Sequence, residues 1–397
     1  MTRVIIIHQH DPTVSHVSGI GTFIDTFITY APDDFEISLI GVTADPRRHP
    51  VGRWDRLHIG GRVCSFLPIV AGHSTHRGRL PLSLRLTMAL MRDRRRLNLQ
   101  HAILEFHRIE PSLALWDVEN PKVLFLHGHM QDLRNPQTEV AWGKFPWLYF
   151  WLERRLIRAM QRTYLVREDA VAFYRVRYPN LAERFDFLPT WVDESSFLSM
   201  VETQRDRIRE ELTREQHVDP RSKLLLFVGR FEGQKDPLLL LEAVRRLNGQ
   251  TGQAVLILIG AGSLEGSMRA FIRDQGLSKS VRILGPQPQW EIARWMNVAD
   301  CLCLSSAFEG MPRVVVEALH CGLPVVSTDV GEVRRFFRDQ RIGRLVTTRS
   351  PEAFSAAIAG LLSQEPDRAA CQQQTASYTA AKVLAPVYQA YRELKQK

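Results

Sequence analysis

The chain has 397 residues, a length that fits two or three domains of ordinary size. Apolar residues make up 45% of it and charged residues 24%, which excludes disordered, collagen-like and low-complexity classes. Lysine and arginine total 52 against 43 acidic residues, a formal +9 that would suit nucleic acid, an anionic membrane or a phosphorylated substrate without choosing among them. Five cysteines, Cys64, Cys301, Cys303, Cys321 and Cys371, form an odd and scattered set, the pattern of free thiols in a reducing compartment. The start Met1-Thr-Arg-Val-Ile-Ile-Ile-His8 lacks the regions of a signal peptide, and no uninterrupted apolar run reaches the roughly 18 residues of a membrane span. The expectation is a cytoplasmic protein, free to touch the inner face of the membrane peripherally.

Short β-branched or aliphatic runs alternate with longer mixed segments, a pattern that predicts parallel sheets covered by helices. The first half offers strands at 4–7, 36–41, 63–67, 102–105, 122–127, 162–166 and 185–188, with a helix from about Thr22. A charged helix at 202–216 follows the stretch Pro189 to Phe197, and strands then recur at 224–228, 254–259, 281–284, 301–304, 324–327 and 343–346. Helices at 351–362 and 375–396 close the chain. The last carries an apolar stripe through Tyr378, Val383, Leu384, Val387, Tyr388, Tyr391 and Leu394. The expected fold is α/β, two doubly wound Rossmann-like domains facing a central cleft. The expected domains are 1–195, on the acceptor side, and 196–374, which binds the nucleotide, with 375–397 packing back on the first.

In such sheets ligands bind outside the carboxyl ends of the strands. The strand at 224–228 ends in Gly229-Arg-Phe-Glu-Gly-Gln-Lys-Asp236, so Arg230 and Lys235 sit where a guanidinium fork and a mobile ammonium can reach a diphosphate; either alone could be a solvated loop charge. Gly260-Ala-Gly262, after the next strand, suits close backbone approach to a ligand or a plain tight turn. The segment Ser305 to Asp329 reads as strand, loop, helix and strand, with Pro312 at the helix start and Gly322 at its end. It places Glu309 in the loop, Glu317 inside the helix, and a helix N-terminus with free amides beside them. Two carboxylates that accept from hydroxyls, next to an anion site, suit a sugar nucleotide.

The spacing Glu309-x7-Glu317, flanked by Glu-Gly-Met-Pro and Glu-Ala-Leu-His-Cys-Gly-Leu-Pro-Val-Val-Ser-Thr, resembles the signature of retaining family-4 glycosyltransferases of the GT-B fold. Gly229-Arg230-x4-Lys235-Asp236, Gly260-x-Gly262 and Val281-Arg-Ile-Leu-Gly285 stand in that family's order. The resemblance is close over the second half and loose over the first. It implies that Arg230 and Lys235 hold the donor diphosphate, that Glu309 bonds the sugar with the amides of Gly310 and Met311, and that Glu317 accepts from the ribose. Arg313 and Val314 would present amides to the phosphate, and Gly285 to Gln287 would border a uridine or guanosine base. In the first half, Gly19 and Gly21 resemble the family's N-terminal glycine loop, and His127 its histidine near the sugar, although a lone strand-end histidine is often structural. His107 is a further lining candidate.

The family's Asn-Gly-Val-Asp at the domain junction is replaced by Thr190-Trp-Val-Asp193, and its serine after the preceding strand is absent around Val166-Arg-Glu168. His8-x-His10 and His127-x-His129 could be read as metal pairs, but neither has an obvious carboxylate triad. Cys301-Leu-Cys303 reads as a buried strand rather than a metal pair. No Asp-x-Asp stands near a strand end, so metal-independent catalysis is expected, with no cofactor. The implied activity is transfer of a hexose-type sugar from a nucleotide-diphosphate sugar to a lipid-linked or polysaccharide acceptor in bacterial surface-glycan or exopolysaccharide synthesis. The alternatives are an epimerase or hydrolase of the same fold, or a basic nucleotide-binding module; nucleic acid is not expected as a partner. Seven arginines and one acid between Arg77 and Arg96, and four arginines among aromatics from Trp147 to Arg162, suit an anionic membrane. A solvated helix face would explain the first equally well, and a core-packed helix with an arginine edge the second.

Overall fold

The computed structural model describes residues 1–14, 19–72, 80–127, 146–251, 254–337 and 339–396. Arg77, Arg79 and His129 lie outside them. Two units divide the chain: Met1–Pro189 with Ala380–Lys397, and Thr190–Thr379. The junctions fall after Pro189 and Thr379 rather than after 195 and 374 as expected.

The first unit is an eight-stranded sheet of β1 (Thr2–Ile7), β2 (Phe35–Thr43), β3 (Asp55–Ile59), β4 (Arg62–Ala71), β5 (Ala102–Phe106), β6 (Lys122–Leu126), β7 (Arg162–Leu165) and β8 (Phe185–Phe187). Its order is β3-β4-β2-β1-β5-β6-β7-β8, parallel throughout except between β3 and β4. Ile5, Ile6 and Ile7 are fully buried, as in sheets covered on both faces. β3 was not expected. Its run Asp-Arg-Leu-His-Ile alternates polar and apolar residues, and it pairs antiparallel with β4 as a half-exposed edge strand.

The second unit has six parallel strands: β9 (Lys223–Val228), β10 (Ala254–Ile259), β11 (Val281–Gly285), β12 (Cys301–Leu304), β13 (Val325–Thr328) and β14 (Gly343–Val346), in the order β11-β10-β9-β12-β13-β14. Each sheet therefore grows outward from its first strand in one direction and then reverses, the doubly wound arrangement expected. Cys301 and Cys303 lie within β12, and all five cysteines are buried free thiols.

The closing segment is two helices, Arg368–Thr375 and Ala380–Gln396, rather than one, and Tyr378 stays with the second unit, its carbonyl accepting from the Val192 amide. Ala380–Gln396 packs on the first unit. Tyr388 donates to the Phe27 carbonyl at 2.7 Å, Tyr391 to Glu105 at 2.5 Å, and Arg392 forks onto Asp34. Among the described residues no helix is long and apolar enough to cross a membrane.

One buried carboxyl makes the first unit sensitive to pH. Glu153 is fully buried on the helix Pro146–Ile157, accepts from Tyr178 at 3.4 Å, and burial pushes it up to about 7 against the pull of Arg177. The folded state thus holds a proton there that the unfolded chain releases near 4.5, so stability falls as pH rises between the two values. The melting temperature should drop from pH 5 to pH 7, and Glu153→Gln should reduce that slope in calorimetric scans, the remainder belonging to the likewise buried Glu105; an unchanged slope would contradict the assignment.

Candidate functional site

In the second unit the strand order reverses between β9 and β12, and the loops after these two strands carry the expected cations and the first carboxylate. Lys235 Nζ lies 2.5 Å from Glu309 Oε1, and Ser306 donates to the same oxygen at 2.6 Å. Glu309 is buried and Lys235 mostly so, which makes this ion pair stronger than a surface one but costly to leave half-made. Arg230 is exposed beside it and donates to Gln234 Oε1 at 3.2 Å, while Gln234 donates to the Phe308 carbonyl. Ser305 Oγ donates to the carbonyls of Lys235 and Asp236, where the backbone of Asp236 turns through a left-handed conformation before the helix Pro237–Thr251.

Two glycines are required by packing. A Cβ on Gly260 would meet the Gly229 carbonyl oxygen at 1.9 Å, so this glycine seats the β10 loop against the β9 loop. A Cβ on Gly331 would meet the Gly310 carbonyl oxygen at 2.0 Å, and the Glu332 amide donates to that same oxygen. The Glu309-Gly310 loop is thus held from behind.

Glu317 is buried on the helix Arg313–His320, which begins after Pro312 with no side chain capping it. Arg313 donates from Nε to Glu317 Oε1 at 3.3 Å, and both its Nη atoms are buried without a hydrogen-bond partner. Burial raises the Glu317 pKa against the opposing charge of Arg313. Arg313 was expected to contribute its amide; its side chain faces the second carboxylate. Met311 accepts at its carbonyl from Thr190 Oγ at 2.9 Å, so the threonine standing in place of asparagine braces the Glu309 loop. Gly285 ends β11, and Gln287 turns back to donate to the Leu284 carbonyl. Val314 is buried in the first turn of its helix.

In the first unit the reversal falls between β1 and β5. Three adjacent strands, β1, β5 and β6, are each followed directly by a histidine: His8, His107 and His127. His107 Nδ1 lies 2.9 Å from His127 Nε2, and His107 Nε2 lies 2.9 Å from Glu105 Oε1. Burial lowers His107 to about 3 and raises Glu105 to about 8, so the pair rests uncharged at neutral pH. His10 is paired with Asp25 at 2.8 Å. Gly19 and Gly21 lie in the first turn of the helix Gly19–Thr29. Among the described residues no group of three or more His, Cys, Asp or Glu side chains is gathered as metal ligands would be.

Sequence reasoning missed Ser305, Ser306, Gln234, Thr190 and Gly331. The two serines carried a signal, because polar residues directly after the apolar run of β12 stand at a carboxyl end.

Two α/β units of the GT-B architecture, one bearing a cation pair and two carboxylates at its switch point, define the class. Residues 208–378 match the model of the family described as glycosyl transferases group 1. A D-inositol 3-phosphate glycosyltransferase of Corynebacterium urealyticum is 28% identical over 200 residues, 48% of this chain and 47% of that protein. The corresponding protein of Jonesia denitrificans is 30% identical over 146 residues, covering 35% of this chain and 34% of that protein. The chain thus spans less than half the length of these curated relatives. The sucrose-phosphate synthase of Thermosynechococcus elongatus has a similar fold, with a TM-score of 0.79 at 16% identity over 99% of both chains.

The unequal burial of the two cations separates their contributions to stability. Glu309→Ala should lower the unfolding free energy by about 1–3 kcal/mol, because it strands Lys235 and Ser306. Arg230→Ala, at an exposed position, should change it by less than about 0.5 kcal/mol. Urea titrations of both variants check this, and equal losses would contradict the geometry.

Proposed function

We propose that the protein is a retaining, metal-independent glycosyltransferase that moves a hexose-type sugar from a UDP- or GDP-sugar to a hydroxyl of a lipid-linked or polysaccharide acceptor in bacterial surface-glycan assembly. The observation that carries this reading is the Lys235–Glu309 pair with Arg230 exposed beside it at the β9/β12 switch point, within a group 1 domain. A fold neighbour, the Anabaena protein HepE, was solved in complex with UDP-glucose, with a TM-score of 0.68 at 16% identity over 99% of both chains, which supports a sugar nucleotide as donor.

Arg230 and Lys235 take the diphosphate, joined by the uncapped amides of Arg313 and Val314 at a helix end worth about half a positive charge. Glu309, with the amides of Gly310 and Met311, bonds the sugar hydroxyls; Glu317 accepts from the ribose; and Gly229, Gly260 and Gly285 to Gln287 line the diphosphate and the base. Gly19, Gly21 and His127 are the candidate ligand contacts of the first unit. The bond from the anomeric carbon to the phosphate oxygen breaks as that from the acceptor oxygen forms on the same face. The acceptor's proton passes to the departing phosphate oxygen. Negative charge grows on the diphosphate in the transition state, so preorganised cations there lower the barrier.

A membrane-side acceptor is supported by the exposed face of the first unit. Trp147 and Trp151 are 69% and 61% exposed, one helical turn apart, in line with exposed Arg154, Arg155 and Arg158. Arg155 lies over the Trp116 ring at 4.2 Å, and the adjacent Asp117 holds Arg94, so the face runs on to the exposed Met88, Met91, Arg95 and Arg96. Aromatic rings interleaved with arginines suit the headgroup region of an anionic bilayer.

Thermal-shift measurements with UDP, GDP and ADP should single out one base, since a ligand at about 100 times its Kd adds about 2.7 kcal/mol of stability. Arg230→Ala should lower kcat by about 10²–10³-fold with donor consumption as the readout, and unchanged turnover would overturn its role. The protein should float with vesicles containing anionic lipid and not with neutral ones. Trp147→Ser with Trp151→Ser should abolish flotation, and flotation indifferent to both lipid charge and these residues would refute the membrane face.

A further inference from the structure

The cluster at the carboxyl ends of β5 and β6 contains more than donor contacts require. Three of its members are fully or almost fully buried and cannot reach a ligand themselves: Glu105 and Tyr391 are 0% exposed and His107 is 3% exposed. They form one unbroken line. Tyr391 Oη lies 2.5 Å from Glu105 Oε2, Glu105 Oε1 lies 2.9 Å from His107 Nε2, and His107 Nδ1 lies 2.9 Å from His127 Nε2. Only His127, at the end of that line, is partly exposed. The rings are held as well as bonded. Phe125 stacks on His107 at 5.1 Å, and Phe23 packs edge-on against His107 and His127 at 5.3 and 4.8 Å.

Where two imidazole nitrogens share one hydrogen bond, one must carry the hydrogen and the other must not, so the tautomer of His107 dictates that of His127. His107 in turn is dictated by Glu105. We propose that Tyr391, Glu105 and His107 are positioning residues that form a directional hydrogen-bond chain, fixing the ring of His127 and keeping its hydrogen on Nδ1. The direction follows from desolvation. A carboxylate at the fully buried Glu105 would be costly, so the acid keeps its proton and donates it from Oε1 to His107 Nε2. The hydrogen of His107 then sits on Nδ1 and is donated to His127 Nε2. Tyr391, whose own ionisation burial disfavours, completes the line by donating to Glu105 Oε2. The same line can shift two protons, one from Glu105 to His107 Nε2 and one from His107 Nδ1 to His127 Nε2. That converts a neutral array into a buried Glu105 carboxylate and a His127 imidazolium with no proton gained or lost. A negative charge arriving beside His127 would draw the array toward that form.

The groups that face the line from the surrounding elements are His8 just after β1, His10 with its Asp25 partner, Arg108 after His107, Tyr164 on β7, and Tyr388 and Glu393 on the helix Ala380–Gln396. That His127 acts near a donor sugar rests on the glycosyltransferase reading; its tautomer does not, and it is measured with no donor present.

The test is long-range ¹H–¹⁵N correlation of histidine-labelled full-length protein, with His127 assigned by its loss in His127→Gln. The expected result is His127 protonated at Nδ1 and bare at Nε2 near neutral pH, the less common form of a neutral histidine, changing to Nε2–H as alkali ionises Glu105. Glu105→Gln, whose amide oxygen accepts from Tyr391 and whose NH₂ donates to His107, should keep the Nδ1–H form and abolish the alkaline change. Glu105→Leu should release His127 to the Nε2–H form. A wild-type His127 carrying its hydrogen on Nε2 at neutral pH, or an alkaline change that persists in Glu105→Gln, would overturn the proposal. If the tautomer behaves as stated and the protein transfers no sugar, the functional reading fails and the chain stands.

Discussion

In each sheet the two central strands send their connections in opposite directions along the sheet, so their carboxyl ends are left without a covering crossover. Buried strands admit polar side chains only where each finds a hydrogen-bond partner, and the first positions where such groups are readily tolerated are the residues just past these ends. In the second unit those positions are Gly229 to Asp236 and Ser305 to Glu309; in the first they are His8 and His107, with His127 one strand further on. The cation pair, Glu309, His8 and His107 all follow from this one topological constraint.

The two units use the constraint differently. In the second, opposite charges are brought together and held by neutral donors, so Lys235 and Glu309 are ordered at modest electrostatic cost. In the first, burial removes charge instead: Glu105 and His107 are held neutral and joined by shared hydrogens. One unit offers fixed charge to a ligand; the other offers a polarisable array.

Most strands were legible because a parallel sheet covered on both faces demands unbroken apolar runs. The runs at 254–259 and 301–304 coincide with β10 and β12. β3 escaped for the converse reason: as an edge strand it carries Asp55, Arg56 and His58 toward solvent and shows no apolar run. The main site residues were legible through their spacing after strands. Their supports were not, because Thr190 and Gly331 act across long stretches of sequence, Thr190 on Met311 and Gly331 on Gly310. The turned side chain of Arg313 was hidden for another reason. Position on a helix tells which neighbour is four residues on, but not that burial would deprive both terminal nitrogens of partners.

The second unit is inserted into the first, whose sheet is covered by the helix Ala380–Gln396. During synthesis the inserted unit therefore has all of its strands available before the first unit receives its last helix, so it is free to fold first although it is not the N-terminal one. Until then β1 and β5 lack the cover of Val387, Tyr388 and Tyr391, and Glu105 has no phenol to donate to it. The early unit must wait with apolar surface of its sheet uncovered, the condition in which nascent chains are most exposed to aggregation. The order in which the chain is made thus places the vulnerable interval in the first unit, and the arrival of one helix ends it.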